Sequence, residues 1–226
     1  MLAFDKVDVA INGVQILRRM SFAVGAAETV AIIGRNGAGK TTTLRSVMGF
    51  TEVRGQLAFD GADLTDVRPP DRPGLGIGYA PEDRRLFSAF TVEENILMPG
   101  QVAKLSQGGL KKRLDRVYDI LPELKEMAPR PAGMVSGGQG KMVALGRALM
   151  IGTRLLMLDE PFQGLAPALA RRYAEVLRTL RDHDRDVTLI ITESNPALLR
   201  TFADRALVIE RGEIRDGSLD NEKEVA

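Results

Sequence analysis

Along the first part of the chain, apolar and polar positions alternate. Leu2 to Ile11 and Met20 to Val24 carry this period-two pattern, which predicts half-buried antiparallel strands. Thr29-Val30-Ala31-Ile32-Ile33 is instead an unbroken apolar run, β-branched at most positions, and reads as a central strand. Leu155 to Leu158, Val187 to Thr192 and Ala206 to Glu210 read the same way. Between these runs the period changes, and helices are expected over Lys40 to Met48, Gly138 to Met150 and Pro167 to Arg181. The last carries Leu169, Ala170, Tyr173, Val176, Leu177 and Leu180 at helical spacing. Strands that alternate with helices in this way predict an α/β fold, a sheet with packed helices.

The middle of the chain differs. From Val92 to Gly133 there is no strand-like run, and Leu110, Leu114, Val117, Tyr118, Leu121 and Leu124 fall at helical spacing until Pro122 ends or bends the helix. Residues 92–133 are therefore expected to form a small helical subdomain, inserted into an α/β core made of residues 1–91 and 134–226. No internal repeat or low-complexity linker interrupts the chain. Ser218 to Ala226, polar and acidic, is expected to fray.

Composition narrows the chemistry. The 226 residues suffice for one core with a small insertion, and 31 Lys and Arg against 30 Asp and Glu leave a formal charge of +1. Arginines occur as scattered pairs (Arg18-Arg19, Arg84-Arg85, Arg171-Arg172) with no basic stripe, so a nucleic-acid partner is not expected. The absence of Cys excludes disulfides, thiolate catalysis and Cys-based zinc sites. His183, the one histidine, sits among charges in Arg181-Asp182-His183-Asp184 and reads as a solvated turn residue. No apolar stretch approaches the roughly 18 residues of a membrane span, and the N-terminus lacks the pattern of a signal peptide. A cytoplasmic location is expected, with membrane partners if anything is to be transported.

Three segments carry the chemistry. Gly34-Arg35-Asn36-Gly37-Ala38-Gly39-Lys40-Thr41 fits G-x-x-x-x-G-K-[ST] between a predicted strand and a predicted helix. Glycines let backbone N–H groups turn inward around a phosphate, and the helix presents its positive N-terminus to the same anion. Lys40 supplies a charge for the outer phosphates, and Thr41, followed by Thr42, offers a hydroxyl to Mg²⁺. The apolar strand from Leu155 ends in Asp159 and Glu160; Asp159 would hold Mg²⁺ and Glu160 would polarise an attacking water. Ser136-Gly137-Gly138-Gln139 opens a helix, with Ser136 as its N-cap. Taken alone, that turn reads best as a capped turn without a ligand.

Together these segments resemble the ATP-binding subunits of ABC transporters, over nearly the whole chain and in the expected order. Gly34 to Thr41 matches Walker A, Ser136 to Gln139 the signature motif, and Leu155 to Asp159 Walker B, with Glu160 as the catalytic glutamate. The resemblance implies a P-loop NTPase (RecA-like) core with an N-terminal antiparallel β-subdomain. It also implies ATP and Mg²⁺ as ligands and a head-to-tail pair of ATPase subunits, in which Ser136, Gly137, Gly138 and Gln139 clamp the partner's nucleotide. Ala80 to Phe87 and Gly164-Leu165-Ala166-Pro167 are similar to the branched-chain amino-acid importer ATPases. Most ABC ATPases have Gln where Glu82 stands, and the resemblance assigns Glu82 to the metal and the catalytic centre. It further implies two transmembrane permease subunits, an indirect substrate-binding protein, and a peripheral place on the cytoplasmic face of the inner membrane. The second ATPase subunit is expected to be a different chain, with a homodimer as the alternative.

The chain departs from the family pattern at four positions. Ile11 aligns with the aromatic that stacks on adenine, and either packs on the purine or is an ordinary strand residue. Ser194 aligns with the switch histidine, placed to contact the γ-phosphate. Phe162 stands where Ser or Thr is usual and is either a dimer contact or core. Val135 precedes the signature serine where Leu is common, a neutral change. Phe87 and Phe90 fit either a permease docking groove or core packing. The leading expectation is an energy-coupling ATPase for branched-chain amino acids or related small polar solutes. Ser194 and Ile11 motivate an alternative, a weakly hydrolysing nucleotide-sensing half of a heterodimer. A DNA-repair or translation ATPase fits poorly, because 226 residues leave no room for the extra modules such proteins carry.

Overall fold

The computed structural model describes residues 1–184 and 186–219, apart from the side chain of residue 183. The alternating N-terminal segments form a hairpin of β1 (Leu2–Ile11) and β2 (Val14–Val24). They join β4 (Arg54–Phe59) and the two-residue β5 (Ala62–Asp63) in an antiparallel sheet of order β2-β1-β4-β5. The unbroken apolar runs build a second sheet from β3 (Thr29–Ile33), β6 (Ile77–Ala80), β7 (Leu155–Asp159), β8 (Thr188–Glu193), β9 (Arg205–Glu210) and β10 (Glu213–Gly217). Its order is β10-β9-β3-β8-β7-β6, parallel except for the antiparallel β10.

Six α-helices accompany the sheets: α1 (Lys40–Met48), α2 (Val92–Val102), α3 (Gln107–Ile120), α4 (Pro122–Glu126), α5 (Gly137–Ile151) and α6 (Pro167–His183). Pro122 acts as expected: α3 stops before it, and α4 restarts with the proline in its first turn, where a missing N–H costs nothing. α2 starts on a reciprocal Thr91–Glu94 capping box.

The six-stranded sheet divides two apolar cores, and strand parity assigns residues to each. Val30, Ile32, Leu155, Met157 and Ile190 pack with α1 and the antiparallel sheet. Ala31, Ile33, Leu156, Leu158 and Ile191 pack with the helices. Val92, Ile96, Leu110, Val117, Leu121 and Leu124 of the inserted helices join that second core together with α5 and α6. The insertion thus shares the core of the sheet. α1 is tied down by Arg72, a buried guanidinium that donates to the Ser46 and Val47 carbonyls (both 2.8 Å) and to Leu64 O at 2.6 Å. The bond to Val47 O serves a carbonyl in the last turn of α1, where the helix supplies no N–H.

Several boundaries differ from the sequence reading. β2 begins at Val14, six residues before the expected start, because its register against β1 shifts between Val7 and Ala10 and blurs the alternation. β4, β5, β6 and β10 were not expected; they are two to six residues long, and each includes exposed residues or a glycine. α6 runs to His183, two residues past the expected end, so the residue closes a helix. Its side chain, and residues 220–226 within the segment expected to fray, lie outside the described residues. At the start of that segment the Leu219 carbonyl accepts from Arg200 Nε at 2.6 Å.

Candidate active site

β3 delivers the chain to the glycine loop at the C-terminal edge of the parallel strands, where ligands of open α/β sheets bind. The loop is constrained by close approach. A Cβ at Gly34 would lie 2.4 Å from the Ile209 carbonyl oxygen, and Gly39, the N-cap of α1, sits at φ 116°. No side chain caps α1. Its first N–H groups are thus offered to whatever enters the loop.

Lys40 is 4% exposed at its side chain and gathers four oxygens around Nζ. It donates to the carbonyls of Gly34 (2.6 Å) and Arg35 (3.1 Å) and to Ser194 Oγ (3.0 Å), and it pairs with Glu160 Oε1 at 2.9 Å. Ser194 Oγ lies 3.0 Å from Asn36 Oδ1 and 3.1 Å from Glu160 Oε1. Its single proton can serve one of them at a time. Glu160 follows β7 at φ 45°, with its N–H directed at both Thr192 O and Thr192 Oγ1 (each 3.1 Å). The expected catalytic carboxylate, the loop lysine and the serine at the switch position therefore meet in one buried cluster.

Asp159 forms a second cluster beside it. Oδ1 accepts from Thr41 Oγ1 (3.1 Å) and Thr192 Oγ1 (2.8 Å), and Oδ2 accepts from the Tyr79 hydroxyl (3.1 Å). Burial, followed by the Asp159 charge, pushes the Tyr79 phenol well above its ordinary range, so it remains a proton donor. An open cleft of about 310 Å³ reaches the first cluster through Lys40 and Glu160 and the second through Thr41. Asn36, Gly37, Gly39, Lys40, Thr41 and Thr42 form one wall; Glu82, Glu160, Gln163 and Ile16 complete the lining.

The donor set fits Mg²⁺ with a nucleotide. Magnesium is usually held by one or two protein oxygens and completed by phosphates and water, which is what Thr41, Asp159 and the nearby Glu82 offer. Among the described residues there is no cluster of three His, Cys, Asp or Glu that would hold a metal without a phosphate.

Other expected residues fall elsewhere. Ile11 is 39% exposed beside the β1–β2 turn, and the cleft is lined by Ile16 on the returning strand. Phe162 is core: it is 9% exposed and packs edge-on against Tyr173, centroids 5.9 Å apart. Phe87 and Phe90 remain exposed and stack on each other at 5.6 Å, with the Arg147 guanidinium over Phe87. Ser136 caps α5, accepting from Gln139 N (3.2 Å) while Gln139 Oε1 accepts from Ser136 N (2.9 Å). This turn does not line the cleft of its own subunit.

Sequence reasoning missed Tyr79, Thr192, Glu193 and Lys141. Thr192 and Glu193 lie in the run that leads to Ser194, and strand parity puts Thr192 on the same side as Ser194. Tyr79 lies on a four-residue strand with no pattern of its own. Glu193 is 4% exposed and accepts from the Phe162 N–H at 2.8 Å; burial pushes its pKa up to about 7.

The sequence pattern of the ABC transporter family matches residues 17–163. A high-affinity branched-chain amino acid transport ATP-binding protein of Pseudomonas aeruginosa, BraG, is 39% identical over 95% of this chain and 91% of its own. A probable branched-chain amino acid transport ATP-binding protein of Archaeoglobus fulgidus, LivF, is 32% identical over 98% and 93%. Among solved structures, the ADP conformation of an ATP-binding cassette superposes with a TM-score of 0.82 at 26% identity, covering 100% of this chain and 92% of the other. With a phosphate loop, a paired carboxylate strand and this match over most of its length, the chain belongs to the ATP-binding, ATP-hydrolysing subunits of the ABC transporter family.

Proposed function

We propose that this chain energises an importer of branched-chain amino acids or closely related small polar solutes. The substrate class rests on the likeness to BraG and LivF, and the observation that carries ATP hydrolysis is the Lys40–Glu160–Ser194 cluster set beside Thr41–Asp159. Asn36, Gly37, Ala38, Gly39 and Thr42 wrap the phosphates together with Gly34 and Arg35, and Lys40 neutralises them. Thr41, Asp159 and Glu82 hold Mg²⁺, which supplies charge neutralisation on the phosphates when bound. Phosphate oxygens compete with Glu160 for the Lys40 ammonium, and a carboxylate released from that pair can take a proton from water. Ser194 holds Glu160 and Lys40 in register.

Residues 92–133 form the subdomain that meets the membrane subunits, and residues 1–91 with 134–226 form the ATP-binding core. The loop from Glu82 to Phe87 shares that contact, and the exposed Phe87–Phe90 pair just before the subdomain supports docking there. No helix among the described residues is long and apolar enough to cross a membrane, so two permease subunits supply the path. The chain then sits peripherally at the cytoplasmic face of the inner membrane. A second ATPase subunit completes each site through Ser136 to Gln139, and a substrate-binding protein feeds the permeases. The reading as a weakly hydrolysing half is not favoured, because Lys40, Asp159 and Glu160 are all present and assembled.

The test is reconstitution of the full chain with its membrane subunits in vesicles. ATP turnover should rise when a binding protein loaded with leucine, isoleucine or valine is added. A stimulation by an unrelated solute and none by these amino acids would replace the substrate assignment.

A further inference from the structure

α5 carries the signature turn at its start, yet its second turn reaches into the subunit's own active site. Lys141 Nζ donates to the backbone carbonyl of Glu160 at 2.5 Å. That carbonyl belongs to a residue held at φ 45°, a conformation that non-glycine residues keep only when their surroundings impose it. The next residue, Pro161, has no N–H to add to the local network. The peptide groups of Glu160 are instead held from both sides: β8 takes its N–H through Thr192, and its carbonyl accepts from Lys141 of α5 and, at 3.3 Å, from the Gln163 N–H of its own turn.

The lysine is not an incidental surface group. It is half-buried, and burial lowers its pKa, while Glu193, Glu82 and Glu160 act in the opposite direction and favour its ammonium form; Arg84 opposes them. Its charge therefore sits between the carboxylate assigned to catalysis and one assigned to the metal. Arg84, in the separate loop that carries Glu82, also meets α5, donating to Gly137 O at 3.2 Å.

We infer that Lys141 is a positioning residue for hydrolysis: by binding the Glu160 carbonyl it fixes the backbone turn that aims the Glu160 carboxylate at Lys40 and Ser194. This rests on the reading of Glu160 as the group that takes the proton from water. In this role Lys141 acts through Glu160, whose carbonyl it binds. It also ties the orientation of α5, whose N-terminus faces the partner subunit in the proposed pair, to the geometry of the subunit's own base.

The test is single-turnover ATP hydrolysis by the full chain carrying Lys141→Met, Lys141→Arg, Glu160→Gln and the Lys141→Met/Glu160→Gln pair. Binding of a fluorescent ATP analogue and thermal unfolding are measured in parallel. Lys141→Met should slow hydrolysis by about 10- to 100-fold, up to the loss that a misplaced catalytic group can cause, with nucleotide affinity within about twofold. Lys141→Arg, which keeps a donor, should recover most of the rate. In the Glu160→Gln background, Lys141→Met should cost nothing further, the mark of two residues acting as one unit. If Lys141→Met does not fold, Lys141→Gln takes its place in the same comparison. An unchanged rate in Lys141→Met, or an equal additional loss in the double variant, would overturn the inference. A Glu160→Gln variant that hydrolyses normally would instead remove the reading on which it rests.

Discussion

α1 and α5 both start from glycine turns, but their N-termini are finished differently. No side chain caps α1, which begins after Gly39 at φ 116°, with Lys40 drawn back onto the Gly34 and Arg35 carbonyls. α5 is closed by the reciprocal Ser136–Gln139 box. A glycine N-cap forgoes only a few tenths of a kcal/mol of capping stability and leaves the first N–H groups of α1 to an anion. The box at α5 satisfies two N–H groups internally, those of Ser136 and Gln139. Its serine hydroxyl serves there as an acceptor, however, so the Ser136 proton stays free to donate to a phosphate. The comparison separates a helix end open to an anion in its own cleft from one that, in the proposed pair, would touch a nucleotide held by the partner subunit.

The largest effect should come from the open end. Lys40→Met removes the charge aimed at the phosphates and leaves Glu160 buried without its ion-pair partner. Nucleotide affinity should fall by about 100-fold or more, the equivalent of roughly 2.7 kcal/mol. Breaking a buried pair from one side should also cost about 3–5 kcal/mol of stability, read by equilibrium urea unfolding.

A smaller effect is expected beneath the same site. Glu193 has a folded-state pKa of about 7, raised by burial, so the native state holds its proton where the unfolded state has lost it. Stability therefore falls as pH rises from the ordinary carboxylate range through about 7. Glu193→Gln should flatten that slope and stabilise the protein at pH 8 by about 1–3 kcal/mol. Unfolding midpoints collected between pH 4.5 and 8 check both the sign and the window.

The smallest change in stability belongs to the closed end. Ser136→Ala removes one half of the box and should cost about 1 kcal/mol, or roughly 2–4 °C in Tm for a chain of this size. ATP affinity of the isolated subunit should not change, because the turn lies away from that cleft. Turnover of the assembled pair should drop. A loss of affinity in the isolated subunit would break the distinction drawn between the two ends.

Much of this site was legible in sequence, because its residues stand at fixed offsets around strand ends. Gly34 to Thr41 follows an apolar strand and Asp159-Glu160 ends another, so their meeting follows from two parallel strands, with β8 between them, in one sheet. What sequence missed depends on reach. Lys141 is one lysine on a largely apolar helix, and nothing in its spacing tells that Nζ meets a carbonyl nineteen positions away. Tyr79 sits on a four-residue edge strand with a glycine in it, too short for any period to emerge. Ile11 was named by its alignment with an aromatic, but it lies 39% exposed beside the β1–β2 turn, and it is Ile16 on the returning strand that lines the cleft. Phe162 was ambiguous because one apolar residue after Glu160-Pro161 fits a surface or a core equally; its edge contact with Tyr173 decides for the core.

The central claim is that this subunit's own Glu160 drives ATP hydrolysis in a site organised by Lys40 and Ser194. It is tested most directly by following one turnover of ATP on the full chain assembled with its partner subunit, comparing Glu160→Gln with the parent chain. The account predicts ATP bound with near-parental affinity and hydrolysed at least about 100-fold more slowly, the nucleotide remaining intact on this subunit. Hydrolysis at this site within a few-fold of the parent rate would contradict it.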